Sequence, residues 1–269
     1  MKCITSLVKL FMLLVTLEQI GFGAAIELTG TLRDFLYSGT PIGTYGGYLG
    51  QGNPDFESVI ANDTGIVKST LGSDGKPVYA SSGTTSTTHG AFFFDMWFRD
   101  TPGYNASTTF TLTANETSPG SGVYQYTNGS FFPLDGELFG NQGSGHNYSF
   151  TFELPTTFTY KPGQSFSFTG DDDVWIFINN QLVIDLGGVH GAQSASVNLD
   201  SLNLTEGKQY SFNLFFVERH TSQSNLFFQT SIELQPSVSP VPEPSFLFML
   251  TVLMSGIFYW NRKEKRTAT

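Results

Sequence analysis

Three consecutive aspartates, Asp171 to Asp173, stand directly before the apolar run VWIFIN at residues 174–179. Adjacent carboxylates repel one another, and each loses hydration when it is buried. Side chains alternate along a strand, so the three carboxylates share one direction only if the chain bends at the strand entrance. Three arrangements would satisfy them: a hydrated turn, a catalytic acid, or a hard cation such as Ca²⁺, which prefers oxygen ligands. The spacing does not match an EF-hand loop.

Further polar residues cluster after two other predicted strands, where exposed loops often carry function. The candidates for sugar contacts are Asp173, Asp185, His190, Glu218, Arg219, His220 and Asn225. An ordinary surface ion pair of little energetic consequence is the alternative for Glu218 and Arg219. His89 and His146 are scattered, and no Cys/His spacing typical of zinc is present.

The elements that must position these residues are predicted to be strands. SFTFEL (149–154) and SFSFTG (165–170) alternate Phe with small polar residues, as half-buried strands do. WIFINNQLVIDL contains two apolar runs joined at Asn179-Asn180, a candidate tight hairpin because Asn tolerates positive φ. Trp97 and its Phe neighbours are interpreted as core, with a sugar-stacking platform as the alternative. The pattern predicts an all-β, antiparallel sandwich or barrel.

The composition is typical of a secreted β-rich domain. Charged residues make up 13% of the chain, 26 residues are Phe, and the formal net charge is −10. The acidic balance argues against nucleic acid and anionic lipid as partners, and is compatible with divalent cations or neutral sugars. Cys3 is the single cysteine and falls in the N-terminal segment, so no disulfide is expected in the mature chain.

Both ends of the chain are interpreted as targeting segments. Residues 1–25 have the basic start, apolar run and small-residue end of a signal peptide. Residues 236–245 form a Pro/Ser linker ending in Pro242-Glu243-Pro244, and residues 246–266 form a short apolar helix with a basic end. Its 15 apolar-rich residues, 246–260, would span roughly 22 Å as a helix, less than the hydrocarbon core of about 30 Å. An ordinary single-pass anchor is the alternative.

The order of features in this tail resembles the PEP-CTERM sorting signal of Gram-negative bacteria. The resemblance implies export, transient anchoring in the inner membrane through the C-terminal helix, and processing by an exosortase. The expected destination is the cell surface or extracellular matrix of a Gram-negative bacterium.

Residues 26–235 are predicted to form one domain, which resembles the fibro-slime domain, a relative of the protective-antigen-type lectin-like domain. The segments that carry the resemblance include LTGTLRDF (28–35), MWFRDTPGYN (96–105), FFPLDGELFG (131–140), FTGDDDVWIFINNQLVIDLGGVHG (168–191) and LNLTEGKQYSFNLFFVERHT (202–221). It implies a β-sandwich in which Asp171 and Asp172, joined by a cis peptide bond, hold Ca²⁺ for sugar binding. Asp173 stands where many relatives have Gly.

The expected function is therefore that of an exported, adhesin-like protein that binds extracellular polysaccharide or glycan with the help of Ca²⁺. A structural matrix protein without a specific ligand is the first alternative, and a glycoside hydrolase is the second. No nucleophile elbow, P-loop or dinucleotide fingerprint occurs, so no enzymatic activity is expected.

Overall fold

The computed structural model describes residues 23–57 and 59–236. The predicted signal peptide falls almost wholly outside this part of the chain, as does nearly all of the linker. The apolar helix and its basic end lie entirely beyond it. Within the described residues, no helix is long and apolar enough to cross a membrane.

The described chain is built almost entirely of strands. They are β1 (Ala25–Phe35), β2 (Gly43–Tyr45), β3 (Tyr48–Gly50), β4 (Ala61–Asn62), β5 (Asn105–Glu116), β6 (Tyr124–Asn128), β7 (Phe150–Thr159), β8 (Ser165–Asp171), β9 (Asp173–Ile178), β10 (Gln181–Leu186), β11 (Gly188–Val189), β12 (Gln193–Asn198), β13 (Gln209–Glu218) and β14 (Asn225–Thr230). The helices of this region are α1 (Ala91–Phe94) and a 3₁₀ helix (Leu199–Leu202).

Ten of the strands form one antiparallel sheet in the order β10-β9-β13-β7-β1-β5-β6-β14-β8-β12. Its two terminal strands, β10 and β12, lie against each other, so the sheet curls back around a single interior. The all-β, antiparallel prediction is confirmed. β1 lies in the middle of the order and pairs with β5 and β7, which ties the first residues of the described chain to its second half.

The alternation of side chains divides β9 between two cores. Val174, Ile176 and Ile178 point into the interior of the curled sheet, whereas Trp175 and Phe177 point to its outer side. All six residues of β9 are buried because both of its faces are covered. A continuous apolar run is the sequence signature expected of such a strand.

The outer side of β9 and β13 is covered by the loop-rich segment between β4 and β5. Phe94, Trp97 and Phe98 pack there against Trp175 and Phe215. Trp97 is fully buried. The interpretation of Trp97 as core is confirmed, and its burial leaves no face for sugar stacking.

The β9–β10 hairpin turns at the predicted position. Asn179 and Asn180 have φ values of 51° and 62°, and Ile178 pairs with Gln181 across the turn. Two consecutive left-handed residues define a type I′ turn, whose twist matches that of the flanking strands. Asn adopts this conformation more readily than other non-glycine residues.

Candidate functional site

The aspartate triplet lies where the chain passes from one part of the sheet to another. β8 ends at Asp171, opposite Asn225 of β14, and β9 begins at Asp173, opposite Val217 of β13. The peptide bond between Asp171 and Asp172 is cis, as the family resemblance implies. The three side chains diverge from this crossing and have different partners.

The carboxylates of Asp171 and Asp172 are held mainly by backbone amides. Asp171 accepts hydrogen bonds from the backbone N–H of Asn225 at 2.5 Å and from its side-chain amide at 2.8 Å. Asp172 accepts from the backbone N–H of His190 at 3.0 Å and of Arg219 at 3.2 Å. Each oxygen thus accepts one bond, and each has a further lone pair available.

Asp173 is neutralised by Arg219 in the interior. The Arg219 guanidinium donates to both Asp173 oxygens, at 2.6 and 3.1 Å, and both side chains are fully buried. Its remaining N–H groups bond to Thr87 and to the carbonyl of Asp55, and the guanidinium lies 4.9 Å from the centre of the Trp97 ring. The predicted sugar contacts of Asp173 and Arg219 need correction, because neither side chain reaches solvent.

Glu218 is a fully buried carboxylate beside the aspartates. Its Oε2 atom makes no hydrogen bond of normal geometry. Burial raises the pKa of Glu218 well above its usual range, the charge of Asp172 raises it further, and the Ser224 hydroxyl partly offsets this. Its predicted sugar contact is likewise corrected, because the side chain lies behind the surface.

Burial also raises the pKa of both cleft aspartates. For Asp171 the bonds from Asn225 partly counter this effect. For Asp172 the neighbouring charge of Asp173 raises the pKa further, against an opposing contribution from Arg219. The Arg219 guanidinium is engaged with Asp173, and within the described residues neither Asp171 nor Asp172 forms a salt bridge.

A small cleft opens directly onto Asp171 and Asp172. Its volume is about 60 Å³, and Ile60, His190 and His220 also line it. The exposed side chains of Ser222 and Gln223 complete its rim. The structure therefore brings His190 and His220 to the aspartates, as the sequence predicts.

Two other predicted residues have supporting positions. Asn225 holds Asp171 through the two hydrogen bonds given above. Asp185 does not line the cleft; it accepts from Trp175 Nε1 at 2.9 Å, from the Gly65 amide at 2.7 Å and from the Gly187 amide at 3.1 Å. Asp185 thereby fixes the loop that leads into His190.

No pattern in the sequence indicates that Ile60 and Gln223 line the cleft. Ile60 precedes β4, which pairs with β11 immediately before His190. That two-residue pairing is too short to leave a recognisable pattern in the sequence.

The donor set is suited to a hard cation but is incomplete without additional oxygens. Among residues 23–57 and 59–236, no three His, Cys, Asp or Glu side chains converge closely enough to hold a metal ion by themselves. Two carboxylates with spare lone pairs line the cleft, and Ca²⁺ takes about six to eight oxygens. Backbone carbonyls, the rim side chains, water or ligand hydroxyls would have to supply the remainder.

Comparisons with known proteins agree with the protective-antigen-type resemblance. The PA14 domain model matches residues 135–244, which include the aspartate triplet, Glu218 and Arg219. Among curated proteins, the chain is 44% identical over 183 residues to protein psiQ of Dictyostelium discoideum, covering 63% of this chain and 18% of psiQ. It is 38% identical over 242 residues to protein psiR of the same organism, covering 83% of this chain and 23% of psiR. The chain thus spans less than a quarter of either relative.

Solved structures show more distant similarity. A PA14 sugar-binding domain from an RTX adhesin has 16% identity and a TM-score of 0.26, over 34% of this chain and 52% of that domain. The epithelial adhesin 9 A domain of Candida glabrata, in complex with Galb1-4GlcNAc, has 10% identity and a TM-score of 0.31, over 83% of this chain and 96% of that domain.

Proposed function

We propose that this chain is an exported, adhesin-like protein that binds carbohydrate through Ca²⁺ held at Asp171 and Asp172. The observation that carries the proposal is that Asp171 and Asp172 line one cleft, that each of their carboxylate oxygens keeps a spare lone pair, and that neither carboxylate forms a salt bridge within the described residues. Glu218 lies behind them as a buried acid whose neutral form is favoured by burial and by the charge of Asp172. When bound, Ca²⁺ would supply positive charge and open coordination positions for hydroxyl groups.

The surrounding residues have defined roles in this proposal. Asn225 and the amide groups of His190 and Arg219 fix the two carboxylates in place, which lowers the entropic cost of binding. Asp173 and Arg219 hold the strand entrance rigid from behind. His220, Ser222 and Gln223 form the rim that a sugar would meet.

The proposed location is extracellular, in keeping with the signal peptide predicted at residues 1–25. Processing by an exosortase and a Gram-negative host remain predictions from residues 241–266 alone. The Dictyostelium relatives named above provide no support for a bacterial host. A non-enzymatic role is part of the proposal, and an assay for reducing sugar released from a polysaccharide panel is expected to stay flat.

The first test is a calcium titration of the intact secreted protein. We expect Ca²⁺ to raise the melting temperature, since a ligand present at 100 times its Kd stabilises the native state by about 2.7 kcal/mol. EGTA should abolish both this shift and binding on a glycan array. Terbium luminescence measures occupancy of the ion site independently of sugar.

Asp171→Asn and Asp172→Asn should each lose the calcium-dependent shift while keeping the circular dichroism of a folded β protein. Asp95→Asn is the matched control, because Asp95 is a half-exposed residue of the α1 region. If both cleft variants retain the calcium shift and glycan binding, the proposal is wrong. Self-association without glycan selectivity would instead support the structural matrix alternative.

A further inference from the structure

Ile60 is an exposed aliphatic side chain at an otherwise polar cleft. It is 71% exposed, yet it lines the same cleft as Asp171 and Asp172. Exposing a large aliphatic side chain has a cost in water, and single exposed residues are common on protein surfaces. The position of Ile60, rather than its exposure, makes it informative.

Two segments close to Ile60 in the sequence are hydrogen-bonded to segments next to the cleft. On one side, β4 pairs with β11 in the register Val189 to Ala61, so Ile60 sits next to the segment whose His190 amide bonds to Asp172. On the other side, Glu57 donates its N–H to the carbonyl of Arg219 at 2.7 Å. The Glu57 carboxylate also accepts from the Thr221 amide at 3.0 Å and from the Thr221 hydroxyl at 2.8 Å. The β4–β11 pairing places Ile60 beside the segment of His190 that lines the cleft.

The size of the cleft determines what Ile60 would touch. A volume of about 60 Å³ has room for an ion and a few oxygen atoms, but not for a sugar ring. A ring coordinated from above must therefore lie across the rim. The residues that line the cleft include the aliphatic Ile60 and the exposed polar residues Ser222 and Gln223.

We propose that Ile60 is a specificity-determining residue that selects glycans with a methyl group beside the coordinating hydroxyls, of the 6-deoxyhexose class. This inference rests on the proposed function and deepens it. A methyl group buries apolar surface against Ile60, whereas a hydroxymethyl group at the same position brings a hydroxyl to an aliphatic side chain and loses hydration. The polar residues of the rim suit the remaining ring hydroxyls.

The test compares sugars that differ only at this carbon. Isothermal titration with calcium-loaded protein would use methyl α-L-fucoside against methyl α-L-galactoside, and methyl α-L-rhamnoside against methyl α-L-mannoside. We expect the deoxy member of at least one pair to bind on the order of five- to tenfold more tightly. Ile60→Ser should bring that ratio close to one, and Ile60→Val should retain most of it.

Ile42→Ser is the matched control, because Ile42 is 68% exposed and does not line the cleft. Terbium luminescence should be the same in all variants, which separates sugar selection from ion binding. Wild-type protein that binds calcium and sugar without a deoxy preference, or a preference that survives in Ile60→Ser, overturns the inference and leaves the proposed function intact. Absence of any calcium-dependent sugar binding overturns both.

Discussion

Asp173 and its neighbour Asp172 are the same residue type in adjacent positions, but their surroundings differ. Asp173 faces a buried guanidinium that bonds both of its oxygens. Asp172 faces backbone amides and a cleft, with the buried carboxylate of Glu218 nearby. Asp173 is therefore part of a buried ion pair that stabilises the fold. Asp172 keeps free lone pairs on its carboxylate oxygens that could bind a cation. The difference indicates that a buried acid is a candidate ligand-binding group only where its charge has not already been compensated.

Removing the Arg219 guanidinium should lower the free energy of unfolding more than any other single change at this site. Arg219→Leu would leave Asp173 charged and unpaired in the interior, and breaking a buried pair from one side costs about 3–5 kcal/mol. Arg219→Lys should restore only part of the loss, because an ammonium group cannot reproduce the two-pronged contact or the stacking on Trp97. Urea denaturation measures the free energy of unfolding of both variants.

Arg99→Leu is the control for loss of an arginine. The Arg99 side chain is about one-third exposed and pairs with Asp74 at 2.8 Å, so its removal should cost less than about 1 kcal/mol. An Arg219→Leu variant as stable as this control would contradict the structural role given to the Asp173–Arg219 pair.

Neutralising Asp173 should have an intermediate effect on the free energy of unfolding, and neutralising Glu218 a small one. Asp173→Asn loses its paired charge and places an amide against the guanidinium, so we expect a loss of about 2–3 kcal/mol. Glu218→Gln should change the free energy of unfolding by less than about 1 kcal/mol, because burial and the charge of Asp172 already favour the neutral form of Glu218. Chemical denaturation in EGTA measures the free energy of unfolding of both variants. Equal losses of stability would contradict the claim that Asp173 is ion-paired and Glu218 is not.

A further buried acid, Asp34, should make the stability of the protein depend on pH. Burial raises the pKa of Asp34 to about 8, although the Asn147 side chain and the Phe139 amide bond to it. The folded-state pKa lies above the unfolded value of 3.8, so the native state binds more protons between these pH values. The contribution of Asp34 to stability is therefore complete below about pH 3.8 and is lost as the pH rises through about 8.

Denaturation midpoints measured from pH 6 to pH 8.5 should show stability falling by up to about 1 kcal/mol per pH unit. Asp34→Asn should flatten this slope, whereas Asp100→Asn, at a side chain that is 66% exposed, should not. A slope that is unchanged in Asp34→Asn would assign the pH dependence to other groups.

Periodicity along the chain predicted strands in the second half and the hairpin, but not the long strands β1 and β5 of the first half or the partners of the aspartates. Alternating Phe residues predicted β7 and β8, and Asn179-Asn180 predicted the turn, because these features depend only on local sequence. The pairing of Asp173 with Arg219 depends on the register between β9 and β13, in which Asp173 lies opposite Val217. With that register known, alternation places Asp173 on the same outer side as Trp175, away from the cleft.

The cleft itself depended on contacts still more distant in sequence. Ile60 lines the same cleft as Asp172 and lies next to the pairing of β4 with β11, and such short pairings have no periodic signature. Residue types alone made Asp171 and Asp172 candidate cation ligands, whereas nothing in the local sequence showed that Ile60, more than a hundred positions earlier, lines the cleft above them.

The packing of the segment between β4 and β5 on the outer side of β9 and β13 has a practical consequence for protein expression. A fragment cut to residues 135–244 would retain the aspartates but lack Thr87 and Trp97, which contact Arg219, and also β1 and β5 from the middle of the sheet. It would leave Trp175, Phe177 and Phe215 facing water and open new unpaired strand edges, both of which favour aggregation. Recombinant production of a soluble binding unit should therefore begin at or before Ala25 and extend through Gln235.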